Sequence, residues 1–455
     1  MVPLAALLSE AGHRVTGSDR ELYPPMSIEV AALRIPVARG FDAANVPADC
    51  DLVIVGNAAT RDNPEAREAE RRGLPVLSMP QAVARYLLTG KTSVVITGTH
   101  GKTTASALTS WLLLDSGRDP GFLVGGEMRN IGRGYRRGAG PHFVLEGDEY
   151  NAAFFDRGPK FLHYRPRDLF IGNIEYDHAD IFPDLESILD VFRKVAALVP
   201  PDGVVVVNAD DAHALGTARC GAARVVSVSL EDPEADFAAA EISFSPDGTE
   251  FVLVERGQPV VRLRSPLFGL HNVRNALGAI ALVRGLGLSA EEIARALPRF
   301  EGVKRRLEVL GERNGALLVD DFAHHPTAVR GTLAAARSRW PGRRLWALFE
   351  PRSNTAGRKL FEEDYADAFS GADLLVLAPV FHAKRLTPET TLDRVAVVAR
   401  FSQAGKSGFA PDSIDEIPQI LTSHSRPGDV VILMSSGSFG GLPETLLDSV
   451  APEPA

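Results

Sequence analysis

Cysteine is nearly missing: Cys50 and Cys220 are the two that 455 residues contain, and they lie far apart in the chain. That excludes a disulfide framework and a cysteine-built metal site. No apolar run approaches the roughly 18 residues of a membrane-crossing helix. The opening "MVPLAALLSEAGHRV" has neither a basic leading region nor a cleavage pattern, so neither a signal peptide nor membrane association is expected. Basic charge is not in excess either. The net charge is −9 and no basic arm or patch stands out, which argues against a nucleic-acid partner. Internal repeats and low-complexity tracts are absent. What remains is 45% hydrophobic with frequent Gly and Pro, the make-up of an α/β enzyme, with the cytoplasm as the expected compartment. The length implies roughly two to four domains.

Three blocks follow from the periodicity. In residues 1–88, "LAALLSEAGH" has helical spacing, "RVTGSD" reads as a strand ending in a turn, and "DLVIVGNAA" as a buried strand. "NPEAREAERRG" is a helix with Pro64 early and Gly73 closing it, and "LPVLS" is a further strand. Strands alternating with helices imply a parallel sheet with ligands beyond the strands' carboxyl ends. Residues 89–300 open with strand "SVVITG" and helix "KTTASALTSWLLLDSG", and continue through "HFVLEGDEY", "DLFIGNIEYDHADIF" and "GVVVVNADD". The stretch 236–265 alternates as antiparallel ribbons do. Residues 301–455 carry "ALLVDDFAHHP", "RLWALFEPRSN", "ADLLVLAPV" and "DVVILMSSGSFGG", a second doubly wound sheet.

The stretch "VVITGTHGKTT", Val94 to Thr104, resembles a shortened phosphate loop. In the common signature, G-x-x-x-x-G-K-[ST], the first glycine would stand at Ile96; Gly98 comes instead. The context is nonetheless right, because a strand, a glycine turn and a helix N-terminus follow in order. Turn amides favour phosphate, Lys102 can reach the β- and γ-phosphates, and the Thr103 hydroxyl can ligate Mg2+. Glu146, Asp148 and Glu149 end one strand, and Glu175, Asp177, His178 and Asp180 follow another. Carboxylates there can hold the metal of a nucleotide, although one acidic turn alone is ordinary loop polarity. His271, Asn272 and Asn275 open a helix, where capping is the simpler explanation. Arg305 and Arg306 could clamp phosphate or form a solvated charge run. Asp320, Asp321, His324 and His325 end a strand before Pro326, as a metal site or as a polar turn.

Taken in order, "GTHGKTT", "EGDEY", "NIEYDH", "GLHNVRNA", "RRLE" and "DDFAHHP" resemble the Mur ligase family of ATP-dependent amide-forming enzymes. The resemblance implies a three-domain α/β architecture, with Rossmann-like domains at 1–88 and 301–455 around a central ATP-binding domain at 89–300. It implies ATP and Mg2+ as cofactors. Gly98, Thr99, Gly101, Lys102, Thr103 and Thr104 would meet the ATP phosphates. Thr103 and Glu146 would hold one Mg2+ and His178 a second, with Lys102, Glu146 and His178 as the catalytic set. Asn272 and Asn275 would contact adenine, and Arg306 and Asp321 would close over ATP from the third domain. Ser18, Asp19, Asn57 and Ala58 would face the uridine nucleotide, His324 and His325 would line the closed site, and Arg352, Ser353 and Asn354 would meet the peptide.

Within the family, "YPPMS", "DEYNAAFFDRGPKFLHYRPR", "FEPRSNT" and "MSSGSFGG" are similar to members that use a tripeptide rather than L-alanine. The expected partners are therefore UDP-N-acetylmuramate and the murein tripeptide L-alanyl-γ-D-glutamyl-meso-diaminopimelate, with the chain a monomer or weak homo-oligomer. Rival readings are the L-alanine-adding ligase and a nucleotide sensor that no longer ligates. Three departures from the family pattern stand out. The chain opens on the first helix, so a longer native chain is expected to carry the preceding strand and glycine loop. Gly147 and Asn151 stand where alanine and aspartate are expected. Arg193 and Lys194 occupy the zone in which several relatives carry a carbamylated lysine.

Overall fold

The computed structural model describes residues 1–22 and 26–448; of "YPPMS", Tyr23, Pro24 and Pro25 lie outside the described residues. Its centre is a ten-stranded sheet. From one edge run Gln258–Ser265, Gly248–Glu255 and Phe237–Ser245, then Arg224–Ser229, Val204–Asn208, Asp168–Ile171, Thr92–Thr97, His142–Glu146, Gly121–Met128 and Arg133–Arg136. The inner strands are parallel, and antiparallel ribbons finish both edges. The apolar runs alternate between two cores because strand side chains alternate. Val94, Ile96 and Phe170 face the helices Lys102–Asp115 and Leu270–Gly285. Val95, Leu169 and Ile171 face the other side, where helix Leu185–Ala197 packs beside Leu4, Leu7 and Val83 of the N-terminal segment.

The C-terminal sheet has the order Glu308–Arg313, Ala316–Asp321, Val430–Met434, Leu345–Phe349, Leu374–Leu377 and Ser407–Phe409. Its first pair is antiparallel and the rest are parallel. Val430–Met434 lies between two strands that precede it in sequence, so the carboxyl ends of Ala316–Asp321, Val430–Met434 and Leu345–Phe349 converge where the strand order reverses.

The N-terminal segment departs from expectation. Instead of one parallel sheet it forms two parallel pairs, Gly17–Asp19 with Val37–Arg39 and Val53–Val55 with Val76–Ser78. The expected buried strand "DLVIVGNAA" shortens to Val53–Val55, of which only Val55 is buried. Gly121–Met128 and Arg224–Ser229 are strands that sequence periodicity did not signal. In the first, Gly125 and Gly126 mask a strand pattern. They are needed there, since a Cβ on Gly125 would stand 2.8 Å from Glu146 and one on Gly126 2.6 Å from Val303 and 2.9 Å from Thr103.

Candidate active site

The strand Thr92–Thr97 runs between His142–Glu146 and Asp168–Ile171 in parallel register, with Ile96 opposite Glu146 and Thr97 opposite Ile171. That register brings three strand ends to one place: the glycine turn 98–101, the acidic run 146–149 and the segment 172–178. The turn is built tightly. Gly98 has φ +137 and its missing Cβ would lie 3.0 Å from the backbone of Asn173; Gly101 has φ +80 and would meet the Asn275 amide at 2.4 Å. Only glycine adopts such backbone freely. The Asn173 carbonyl accepts the Thr99 amide at 2.9 Å, and its side-chain oxygen accepts the His100 amide at 2.8 Å.

Adjacent residues at the helix start take separate carboxylates. Lys102 Nζ donates to Glu149 Oε2 at 2.9 Å and Oε1 at 3.1 Å, and to the Gly98 carbonyl at 2.8 Å. Thr103 Oγ1 donates to Glu146 Oε1 at 2.8 Å, while Glu146 Oε2 accepts the Gly125 amide at 2.6 Å. Burial opposes the charge on Lys102, yet Glu149 and Asp148 raise its pKa above the ordinary lysine value, so it is protonated. Burial and the neighbouring Asp148 push Glu146 up. Glu149 is buried too, but Lys102 and His178 hold it below the usual carboxylate range. His178 has φ +53, and its Nε2 lies 3.1 Å from Glu149 Oε1. Against the effect of burial, Glu149 and Asp177 raise its pKa.

The third domain closes one side. Arg306 Nη2 donates to Thr103 Oγ1 at 3.1 Å, and its guanidinium lies 4.9 Å from the Phe322 ring centroid. Asp321 accepts from the Leu307 amide at 2.8 Å, the Ala323 amide at 2.8 Å and Thr332 Oγ1 at 3.0 Å. Its carboxylate thus orders the loop that carries Arg306, including Leu307 at φ +48. Asn275 Nδ2 donates to Asn272 Oδ1 at 3.2 Å, and Asn272 Nδ2 to the Phe268 carbonyl at 2.9 Å, with the Asn275 amide set against Gly101.

Around the closing face, His324 Nε2 stands 3.9 Å from Asp177 Oδ2. His325 Nδ1 stands 3.3 Å from Glu175 Oε2. Asn354 Nδ2 donates to Asp180 Oδ2 at 3.0 Å, Ser353 Oγ accepts the Ala356 amide at 3.0 Å, and Arg352 lies 3.8 Å over the Phe381 ring. Thr104 is buried in the first turn of helix Lys102–Asp115, and Thr99 Oγ1 accepts the Glu175 amide at 2.9 Å. The N-terminal candidates are placed apart from this cluster. Ser18 Oγ donates to Glu65, while Asp19 on its strand and Asn57 and Ala58 in the turn after Val53–Val55 are exposed.

Two contributors were not singled out from sequence. Glu149, the partner of Lys102, was one acid among three, and only the alternation after strand His142–Glu146 could have marked it. Asn173, which holds the turn, is the first residue of "NIEYDH" and carries no charge to draw notice. The donor set fits Mg2+: a hydroxyl and a carboxylate on Thr103 and Glu146, both hard oxygens, with room kept by Gly125 and Gly126.

Residues 96–283 match the description "Mur ligase middle domain", 305–437 "Mur ligase, glutamate ligase domain", and 1–89 "Mur ligase family, catalytic domain". Over 451 residues the chain is 37% identical to the UDP-N-acetylmuramate--L-alanyl-gamma-D-glutamyl-meso-2,6-diaminoheptandioate ligase of Escherichia coli (strain K12), covering 98% of this chain and 95% of that one. It is 34% identical over 438 residues to the UDP-N-acetylmuramate--L-alanine ligase of Desulfitobacterium hafniense (strain Y51), covering 96% and 94%. The crystal structure of a murein peptide ligase from Psychrobacter arcticus 273-4 superposes with a TM-score of 0.74 at 32% identity, over 100% of this chain and 97% of that one.

Proposed function

Because this chain belongs to the Mur ligase family, we propose that it joins the tripeptide L-alanyl-γ-D-glutamyl-meso-diaminopimelate to UDP-N-acetylmuramate in the cytoplasm at the expense of ATP. The observation that carries the ligase reading is the pairing of Lys102 with Glu149 and of Thr103 with Glu146 at one helix start. A carboxylate is a poor electrophile until phosphorylation gives it a leaving group. In this reading the γ-phosphoryl group passes to the muramate carboxylate, the tripeptide α-amine attacks the acyl phosphate, and phosphate leaves with the amide formed. Bound Mg2+ would supply charge neutralisation on the transferred phosphoryl group.

The chain's own residues do the rest. The helix N-terminus after Gly101 receives phosphate, while the Thr99 and His100 amides stay with Asn173. Lys102, kept protonated by Glu149, meets the charge that builds during transfer. Thr103 and Glu146 would hold Mg2+, with His178 at a second position. Arg306 adds a cation from the third domain, and Asn272 and Asn275 offer amides to adenine. Ser18, Asp19, Asn57 and Ala58 are proposed to face the uridine nucleotide.

A cavity of about 220 Å3 borders Ser353 and Asn354 and is also lined by Arg358 and Arg385, with Asp180 as its one carboxylate. The two guanidinium groups there support an acidic peptide over L-alanine as the acceptor. Phosphate release with ATP, Mg2+ and UDP-N-acetylmuramate, adding either the tripeptide or L-alanine, tests the reading with mass spectrometry of the product. Turnover with the tripeptide alone is expected. Turnover with L-alanine alone would replace the acceptor, and ATP hydrolysis without any acceptor dependence would replace the ligase with a sensor.

A further inference from the structure

We propose that His100, Glu175 and His325 form a binding site for a borderline divalent cation of the zinc class, bridging the central and C-terminal domains. The site shares no residue with the Thr103–Glu146 pair. Its three residues come from separate segments: the phosphate turn, the loop after strand Asp168–Ile171, and the N-cap of helix Pro326–Arg339.

The spacing is that of a coordination shell. His100 Nε2 lies 3.0 Å and His325 Nδ1 3.3 Å from Glu175 Oε2, and one donor atom from each residue falls within 4.8 Å of the others. An ion with four ligands at roughly 2.0–2.1 Å separates neighbouring donors by roughly 3.3 Å. The two imidazole-to-carboxylate separations therefore match what the ion would impose, and the two imidazole nitrogens lie within 4.8 Å of each other. Glu175 is aimed from behind: Thr327 Oγ1 donates to its Oε1 at 3.1 Å, leaving Oε2 toward both imidazoles. Metal sites orient their carboxylates by just such outer contacts.

An ion pair is the simpler explanation, and it fits less well. The imidazole centroids are 4.6 Å apart, so protonating both would oppose two charges in a site where the His100 and His325 side chains are 14% and 7% exposed. Burial first, then His100, brings the His325 pKa down to about 4, which leaves that ring neutral; the Thr327 amide donates to its Nδ1 at a long 3.3 Å, a bond that a cation at Nδ1 would displace. A satisfied core histidine is excluded as well, because His325 Nε2 is buried without a hydrogen-bond partner among the described residues. Two nitrogens with one carboxylate favour Zn2+, Co2+ or Ni2+ over Mg2+, which selects oxygen. A cation held there ties the C-terminal domain to the phosphate turn, so occupancy favours the closed arrangement by mass action.

The test titrates the full chain, stripped with chelator, with Co2+ under excess Mg2+, following the visible absorption of imidazole-bound cobalt and its displacement by Zn2+. One cobalt per chain is expected. Glu175→Gln and His325→Gln should each weaken binding about 100-fold, while Glu146→Gln should leave the stoichiometry at one. Failure to bind, or binding that survives Glu175→Gln and disappears with Glu146→Gln, would overturn the site. Should the variants not fold by circular dichroism, anomalous scattering from zinc-soaked crystals of the unmodified chain decides. A peak between the three residues supports the proposal; a peak only beside Thr103, or none, removes it.

Discussion

Lys102 illustrates how much one side chain's surroundings decide. Its ammonium sits among Glu149 and the Gly98 carbonyl, with contacts of 2.8–3.1 Å, so charge and position are both fixed before any nucleotide arrives. Lys102→Ala should lower kcat by about 10²–10³ while leaving the fold intact, as loss of one directed charge at a transferring phosphoryl group does; phosphate release and circular dichroism would check both halves. Lys102→Arg should not restore the rate, because a planar guanidinium cannot occupy the point-charge position between Glu149 and the turn carbonyl. Gly101 is a second case. A methyl there stands 2.4 Å from the Asn275 amide at φ +80, so Gly101→Ala should weaken ATP binding at least about 10-fold, at ~1.4 kcal/mol per decade. Calorimetry would measure it, and adding Asn275→Ala should restore only part, since the backbone strain stays. These glycines were legible in the sequence because the turn needs glycine. The choice among Glu146, Asp148 and Glu149 was not fully legible, because which acid faces the turn depends on how two parallel strands register.

At the scale of elements, long apolar runs such as "DLFI" and "DVVILM" were readable as strands, since a strand buried on both faces needs no alternation. Gly121–Met128 was not, because its paired glycines make space for a neighbouring site rather than fill a core. Arg344, just before strand Leu345–Phe349, and Trp346 within it are held by one buried acid. Asp429 accepts from Arg344 Nε at 2.9 Å and Nη2 at 2.6 Å, Trp346 Nε1 at 2.8 Å and the Arg426 amide at 3.0 Å. Burial pushes its pKa up, but Arg344, the Arg426 amide and Trp346 more than offset this and bring it below the ordinary value. A depressed carboxyl pKa contributes stability that is present above the unfolded pKa, about 3.9 for Asp, and lost as pH falls through the lower folded value. Asp429→Asn should therefore cost about 3 kcal/mol at pH 7. The difference between the two chains should shrink as pH falls below about 4, where the unfolded carboxyl takes its proton before the native one does. Urea unfolding followed by tryptophan fluorescence at the two pH values would read both numbers.

The order of the three domains could be read from the motifs, but their docking could not, because a linear sequence carries no relative placement. Several contacts join the central and C-terminal domains, and four of them can be compared. Arg306 meets Thr103 at 3.1 Å, Thr327 meets Glu175 at 3.1 Å, Asn354 meets Asp180 at 3.0 Å, and the Ala179 amide donates to Thr355 at 3.3 Å. They are not equivalent. Arg306 is half-buried and packs over Phe322 beside the phosphate turn, whereas the Asn354 contact is exposed. A cation that crosses a domain boundary to a nucleotide site serves both closure and chemistry, so removing it should damage both. Arg306→Ala is expected to lower kcat/KM for ATP about 100-fold, equivalent to ~2.7 kcal/mol of lost transition-state stabilisation, and to enlarge the radius of gyration seen by X-ray scattering. Asn354→Ala should leave both the ATP kinetics and the scattering curve unchanged and raise KM for the peptide acceptor instead. Equal effects of the two variants on ATP kinetics would mean that the whole interface, rather than the Arg306 side chain, controls closure. A peptide KM untouched by Asn354→Ala would move the acceptor site away from residues 352–354.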